Sequence, residues 1–248
     1  MPTRIIPLLF WFLLWELAAA WMGKPLLLPS ASQTLATLVR LLPTAGFWTT
    51  IAYSILRVLG GFLLAAFLGT LTGVACGFNR FLEALFRPMV AAVRSTPVLS
   101  FILLALLWFP SGQVPVFIAF LMCYPLFWTA VVGGMGQVDR KLLEMAHIYK
   151  VRRRDVLAGI YLPTLEPFLR GALVNGLGLG WKVAVAAEVL SRPRHAIGAN
   201  LHDAKIYLET EGLFAWTLVV VGLSILFEVL FKKALSLGKT AGAKGGAS

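Results

Sequence analysis

Long apolar stretches constrain this chain more than any other feature of its sequence. An α-helix needs about 20 mostly apolar residues to cross the roughly 30 Å hydrocarbon core of a bilayer. Six stretches meet or approach that length, although the third is short; they cover residues 5–22, 51–77, 97–109, 114–132, 168–189 and 213–231. We therefore predict an all-α integral membrane protein with six transmembrane helices.

The composition agrees with this fold class. Apolar residues make up 59% of the 248 and charged residues 13%, whereas soluble domains have about 45–50% and 25%. A soluble enzyme is thus excluded, and a disulfide scaffold is excluded because Cys76 and Cys123 are the only cysteines. The connectors are short, which predicts one membrane domain over residues 1–248. Alternatively, the first stretch is a cleaved signal peptide, since Arg4 precedes it and Ala18-Ala19-Ala20 lie near its end.

The distribution of basic residues predicts the orientation in the membrane. The chain carries a formal charge of +11, and Lys and Arg are concentrated in cytoplasmic loops. Alternating the connectors between the two sides places fifteen of the 22 basic residues on one side. We expect a multi-pass membrane protein with both termini cytoplasmic, in contact with lipid and not with nucleic acid. Residues 232–248 are predicted to form a basic flexible tail.

Two local patterns predict helix packing. Small residues recur at every fourth position of the second stretch, namely Gly61, Ala65, Gly69, Gly73 and Gly77. Such a stripe allows close approach of helix backbones in lipid, either within the chain or against a second copy or a sliding partner. Ser30 and Gln33 also have the spacing of a capping box before an apolar periodicity, which predicts a short amphipathic helix on the outer surface.

The polar connector over residues 133–166 contains a short amphipathic segment. Leu142, Ala146 and Tyr149 lie at positions i, i+4 and i+7, so a helix here would present one mildly apolar face. A cytoplasmic helix cannot bury that face in lipid. The pattern therefore predicts that a groove on a partner protein receives it.

A family resemblance is visible in the same connector. The segment Glu144-Met145-Ala146 resembles the beginning of the EAA motif, which is found in the transmembrane subunits of ABC importers with the type I fold. The end of that motif is resembled by the segment that follows, Ile160-Tyr161-Leu162-Pro163. Further motifs resemble the branch that serves nitrate, sulfonates and taurine; they lie at residues 56–62, 94–97, 107–109 and 186–188. The resemblance covers most of the chain after residue 25.

The resemblance implies a coupling loop at about residues 139–163, between spans four and five. It implies a protein of the bacterial inner membrane whose loop docks in a cleft of a separate cytoplasmic ABC ATPase subunit. The complex would contain two such subunits, which hold ATP and magnesium, while this chain needs no cofactor. It also implies a second permease copy, identical or homologous, and an extracytoplasmic solute-binding protein. The residues assigned to ATPase coupling on this basis are Glu144, Ala146, Tyr149, Lys150 and Pro163.

Lys150 departs from the family pattern because it occupies the glycine position of the motif. Glycine permits a turn with positive φ that lysine resists, so either the backbone stays helical there or the partner's cleft differs. We expect an acidic residue on the ATPase opposite Lys150 or the arginines at 152–154. The alternative for these arginines is that they hold the loop inside and contact anionic lipid. Pro163 is expected to help separate the coupling segment from the fifth span.

Charged residues within the spans are candidates for the pathway, because ionisable groups at that depth are costly and face protein or water. Arg57 and Glu188 are expected to form a structural pair or, alternatively, to contact solute. Lys182 replaces an apolar residue of the family and would make a cavity attractive to anions. His202 and Asp203 lie in the segment that resembles the family's outer mouth and are gate candidates, without the ligand set of a metal site.

Other function classes fit the sequence less well. Gly238-Lys239-Thr240 has the end of a phosphate-binding loop but Lys233 stands at its first glycine position, so the chain is not expected to be an ATPase or to have catalytic residues. An ion-coupled secondary transporter is the main alternative, although no inverted repeat is evident. A membrane-embedded enzyme would need clustered acids, histidines or arginines, and the eleven acids are scattered.

Overall fold

The computed structural model describes residues 2–244, and every regular element in that range is helical. The first six helices are α1 (Pro2–Met22), α2 (Ala31–Leu41), α3 (Ala45–Phe78), α4 (Arg80–Ser95), α5 (Val98–Trp108) and α6 (Val114–Met135). The second half contains α7 (Arg140–Ile148), α8 (Arg153–Val156), a π-helical turn (Leu157–Tyr161), α9 (Leu162–Ser191), α10 (Ile197–Ile206) and α11 (Thr210–Lys244). The predicted all-α class is confirmed.

Four helical segments are long and apolar enough to cross a membrane: Ala45–Phe78, Val114–Met135, Arg153–Ser191 and Thr210–Phe231. A fifth is obtained if α4 and α5, bent by 104° at their junction, are taken as one broken span. The predicted third span is represented by α5 alone, whose 11 residues extend only about 17 Å at 1.5 Å per residue. The bend lies at Thr96, because a residue that precedes proline is driven from the helical region to an extended conformation.

The last helix continues beyond its apolar segment. The candidate span ends at Phe231, whereas α11 runs on to Lys244. Most of the segment 232–248, for which a flexible tail is predicted, therefore has a helical backbone. Residues 245–248 lie outside the described residues.

The core is built where α6 packs between α3 and α9. A Cβ on Gly69 would lie 2.8 Å from Cβ of Phe127, and one on Gly73 would lie 2.9 Å from Cβ of Val131, both on α6. These distances are too short for any side chain larger than glycine, so the small-residue stripe brings the two backbones together. Of the two interpretations of this stripe, the structure favours packing within the chain.

The short outer helix forms as predicted. Ser30 Oγ accepts a hydrogen bond from the backbone N–H of Gln33 at 3.1 Å, and Gln33 Oε1 accepts one from the N–H of Ser30 at 3.0 Å. This reciprocal capping box begins α2. Thr37 then donates to Glu211 at 3.0 Å, which joins α2 to the start of α11.

Candidate functional site

The helix in the polar connector, α7, presents an apolar patch to its surroundings. Its N-terminus is capped by Asp139, whose carboxylate accepts the N–H of Lys141 at 2.8 Å. Ile148 and Tyr149 are 75% and 77% exposed at the other end. The remaining members of this patch, which we call the α7 patch, are Leu142 and Met145.

The exposed face is rotated relative to the predicted one. Glu144 is exposed beside the α7 patch, but Ala146 is only 4% exposed. Met145 takes the place that the periodicity assigned to Ala146, since residues 142, 145 and 149 lie within about 60° of each other around a helix. The surface that α7 offers to another molecule thus includes Glu144 and excludes Ala146.

Lys150 ends this helix in a left-handed conformation, with φ of +48°. The N–H of Val151 donates to the carbonyl of Ala146 at 2.9 Å, and that of Lys150 donates to His147 at 3.1 Å. These two bonds define a Schellman motif, in which the left-handed position usually carries glycine. Of the two alternatives given for Lys150, a backbone that stays helical is not observed, since lysine adopts the left-handed conformation that the motif's glycine permits.

Lys150→Gly is expected to stabilise the end of α7 by about 1 kcal/mol, because a left-handed residue with a Cβ costs roughly 1–2 kcal/mol. His147→Gly is the matched control: His147 is exposed but lies inside the helix, where glycine costs about 1 kcal/mol. Amide hydrogen exchange of residues 140–151 would slow in the first variant and quicken in the second. Faster exchange in Lys150→Gly would contradict the assignment.

The break between α7 and the next helix lies before Arg153 and not at Pro163, where it was predicted. The gap lies between Lys150 and Arg152, and the helix then continues from Arg153 to Ser191. Pro163 occupies the first turn of α9, where proline is tolerated. It follows directly on the π-helical turn, which closes with the N–H of Leu162 donating to Leu157. Pro163 thus does not interrupt the helical segment from Arg153 to Ser191.

A buried polar network joins α3, α9 and α10. Arg57 donates to Glu188 Oε1 at 3.1 Å, and Ser54 donates to Glu188 Oε2 at 2.8 Å. The N–H of Gly198 donates to the same Oε2 at 3.1 Å, while that of Ile197 donates to Ser54 Oγ at 3.0 Å. The Glu188 side chain is 1% exposed. Every polar group of this cluster therefore has a partner, as buried charges require.

Arg57 also fixes the turn between α9 and α10. Its guanidinium donates to the carbonyl of Arg194 at 2.7 Å and to that of His195 at 2.9 Å. Arg192 and His195 both have φ of +48° in this turn, and the ring of His195 stacks on Tyr53 with centroids 5.6 Å apart. The geometry shows that Arg57 and Glu188 form a structural anchor. Ser54 also belongs to this anchor and was not predicted from the sequence. Its position three residues before Arg57, on the same helix face, is the signal that was available.

The remaining gate candidates lie on α10. Asp203 accepts a hydrogen bond from Arg192 at 2.8 Å and lines a cavity of about 410 Å³. Polar side chains of His195, Asn200, Tyr207 and Glu209 also line that cavity, whereas His202 is half-buried and is not among its lining residues. No group of three or more His, Cys, Asp or Glu within residues 2–244 is arranged to hold a metal ion.

Lys182 lies on a different face of α9 from Glu188, about 240° away around the helix. It belongs to a stripe that we call the α9 stripe, whose members are exposed except for the half-buried Gly178: Gly171, Asn175, Gly178, Lys182 and Ala186. A Cβ on Gly171 or Gly178 would meet no atom within 4 Å. Asn175 was not predicted as a candidate residue, although it lies seven residues before Lys182 and therefore on the same face of the helix.

Comparisons with known proteins agree with the resemblance seen in the sequence. A family model described as binding-protein-dependent transport system inner membrane component matches residues 66–233. The taurine transport system permease protein TauC of Escherichia coli K12 is 26% identical over 221 residues, covering 87% of this chain and 80% of TauC. A putative aliphatic sulfonates transport permease protein, SsuC of Bacillus subtilis 168, is 28% identical and covers 79% of this chain and 71% of SsuC.

The fold itself is similar to that of a solved importer. A chain in the crystal structure of an amino acid ABC transporter with histidines superimposes with a TM-score of 0.60 at 17% identity. The match covers 83% of this chain and 97% of that one. The described helices thus have the arrangement of that transporter's chain.

Proposed function

The chain belongs to the family of binding-protein-dependent transport system inner membrane components, and from this membership we propose that it forms the solute pathway of an ATP-driven importer and is coupled to separate ATPase subunits through α7. It is an ABC transporter permease of the inner membrane, and several of its helices are long and apolar enough to cross that membrane. The observation that carries the proposal is the exposed α7 patch beside Glu144 in a segment that resembles the EAA motif.

The α7 patch calls for a protein partner on physical grounds. Its four apolar side chains lie in a connector outside the candidate spans, so lipid does not cover them. Burying apolar surface against a partner is favourable by about 25 cal/mol per Å², and charged Glu144 and Lys150 at the rim would fix the orientation. We propose that the partner is an ATPase subunit that binds ATP and magnesium, and that each complex contains two of these subunits.

The proposed topology has six crossings with both termini in the cytoplasm. They are made by α1, α3, the bent pair α4 and α5, α6, the rod from α8 through α9, and α11. This order places α7 between the fourth and fifth crossings on the cytoplasmic side. It also places α10 and the 410 Å³ cavity beside Asp203 on the outer side, where we propose that a solute-binding protein docks.

The α9 stripe supports a second permease subunit. Asn175 and Lys182 are exposed in the middle of a candidate span, and lipid is a costly neighbour for an amide and an ammonium group. Small residues between them allow close approach of another helix or leave room for water. We propose that the stripe faces a pathway formed with a second copy or a close homologue.

The proposed solute is small and carries an anionic group such as a sulfonate. Two relatives are described as transport permeases for taurine and for aliphatic sulfonates. A lysine on the α9 stripe adds a compact positive charge to the same face. The Arg57–Glu188 pair is not assigned to the solute, because both groups are occupied by the turn between α9 and α10.

Lys182→Met is expected to raise the KM for taurine uptake by about tenfold, since a hydrogen bond to a charged group contributes roughly 1.5–3 kcal/mol. Lys24→Met is the matched control, because Lys24 is exposed in the connector between α1 and α2, outside the α9 stripe and the cavity beside Asp203. Initial rates of ATP-driven uptake into proteoliposomes measure both. Unchanged KM and rate in Lys182→Met would remove this lysine from the pathway.

The proposed function is tested by reconstituting the chain in proteoliposomes with the ATPase and the solute-binding protein encoded beside it. We expect uptake only when ATP and all components are present. Uptake that persists without the ATPase and follows an ion gradient would overturn the proposal in favour of a secondary transporter.

A further inference from the structure

The cavity beside Asp203 has a buried floor and an exposed rim. Phe47, Thr50 and Trp216 form the floor, because they line the cavity and are only 4%, 5% and 7% exposed. Tyr207 and Glu209 form the rim, because they line the cavity and are exposed. The volume of about 410 Å³ lies within the range of about 300–1,000 Å³ that is typical of small-molecule sites.

Two polar side chains of the floor have no partner in this chain. The hydroxyl of Thr50 and the indole N–H of Trp216 make no hydrogen bond within the described residues. Neither atom is sealed off from solvent, since the one side-chain atom of the described residues that is both enclosed and unpaired is the indole nitrogen of Trp128. Both residues line the cavity, so a molecule held there can supply the missing partner.

The floor requires an acceptor. Polar groups on residues this deeply buried normally have a hydrogen-bond partner, and an indole N–H donates and never accepts. The Thr50 hydroxyl can donate as well, and the half-buried amide of Asn200 adds a third donor to the wall of the cavity. An oxygen with negative charge is the acceptor that binds such donors most strongly.

The rim, in contrast, carries negative charge. Glu209 is exposed and forms no ion pair in the part of the chain that the structure describes. Asp203 also lines the cavity, but its charge is balanced by Arg192 at 2.8 Å. Among the described residues, neither lysine nor arginine lines the cavity. The unpaired carboxylate of Glu209 therefore favours a cationic group at the mouth.

We propose that the cavity beside Asp203 binds a small zwitterion, with its sulfonate or carboxylate on the donors of the floor and its ammonium group on Glu209. A plain anion would be repelled by the rim, and a plain cation would leave the N–H of Trp216 unpaired. The site is separate from the α9 stripe, no member of which lines the cavity. The assignment of the zwitterion as the transported solute rests on the proposed function, whereas the site rests on the cavity, its unpaired donors and its charge.

The test measures equilibrium binding of tritiated taurine to the complex of permease and ATPase in phosphatidylcholine nanodiscs. All variants carry Lys182→Met, so that the α9 stripe does not contribute. We expect saturable binding, and we expect isethionate, which has a hydroxyl group where taurine has its ammonium, to compete about tenfold less well. Omitting the solute-binding protein removes its own site from the measurement.

Two variants test the two ends of the zwitterion. Glu209→Gln should raise the Kd for taurine by about tenfold and leave that for isethionate unchanged. Thr50→Val keeps the shape of the buried side chain and should weaken both compounds by about tenfold. Thr49→Val is the matched control, since Thr49 is exposed on the same helix and does not line the cavity.

Three results would overturn the proposal. They are no taurine binding, equal affinities in Thr50→Val and Thr49→Val, and an equal preference for taurine over isethionate with and without Glu209. If taurine does not bind but Glu209→Gln weakens association of the solute-binding protein, the rim is a protein contact and the zwitterion site is also refuted. ATP-driven uptake without binding in the cavity would refute this site alone, whereas binding without uptake would leave the site standing and refute the proposed function.

Discussion

Glu144→Arg is expected to reduce ATP-driven uptake by about 100-fold while the permease stays folded in the membrane. Glu144 is exposed beside the α7 patch and makes no hydrogen bond or ion pair within the described chain, so reversing its charge removes nothing that holds the permease together. At the rim of a docking interface, however, a reversed charge meets the complementary charge of the partner as a like charge, which costs several kcal/mol. Each 1.4 kcal/mol corresponds to a factor of ten in association.

The measurement compares uptake and ATPase copurification in the same preparations. Lys24→Glu is the matched control, because it also reverses a charge on an exposed residue, one that lies in the connector between α1 and α2 and does not line the cavity beside Asp203. That variant should retain the ATPase and transport at close to the wild-type rate. Undiminished uptake together with normal ATPase association in Glu144→Arg would count decisively against coupling through α7.

Arg57→Ala is expected to destabilise the permease by about 3–5 kcal/mol, the cost of leaving a buried charge without its partner. Glu188 would keep the hydrogen bonds from Ser54 and Gly198 but lose its counter-ion. The carbonyls of Arg194 and His195 would lose their donor as well. The turn between α9 and α10 is therefore expected to loosen along with the core.

The two cysteines provide the assay. Cys76 and Cys123 are free and buried, so a thiol-reactive dye reports unfolding as temperature rises. Arg192→Ala is the control: it breaks an exposed ion pair with Asp203 in the same turn, and such pairs contribute only about 0–1 kcal/mol. Equal losses of thermal stability in the two variants would show that burial of Glu188 does not matter.

Features that depend on neighbouring residues could be predicted from the sequence. The capping box of Ser30 and Gln33 forms as expected because both partners lie within one turn. The small-residue stripe of α3 also proves to be a packing face. The composition and the apolar stretches were sufficient for the all-helical membrane class, which requires no knowledge of tertiary contacts.

Features that depend on distant contacts could not be predicted in the same way. Periodicity placed Ala146 on the apolar face of α7, but the face that stays exposed depends on how the rest of the chain packs there. The pairing of α4 with α5 across a bend of 104° was also not predicted, because the apolar stretch at residues 97–109 begins only after that bend. Ser54 and Glu188 are 134 residues apart, so no local pattern in the sequence could show that they form a hydrogen bond.

The helix from Arg153 to Ser191 has a mechanical consequence. It contains 39 residues, so it measures about 58 Å at 1.5 Å per residue. One end begins two residues after the turn that closes α7, and the other carries Glu188 and the outer turn. A tilt of about one degree at the Arg153 end would displace Glu188 by about 1 Å, more than the range of about 0.5 Å that N–H···O distances cover. In the proposed topology, a small push on the end near α7 would therefore be enough to break or make hydrogen bonds at the end near Glu188.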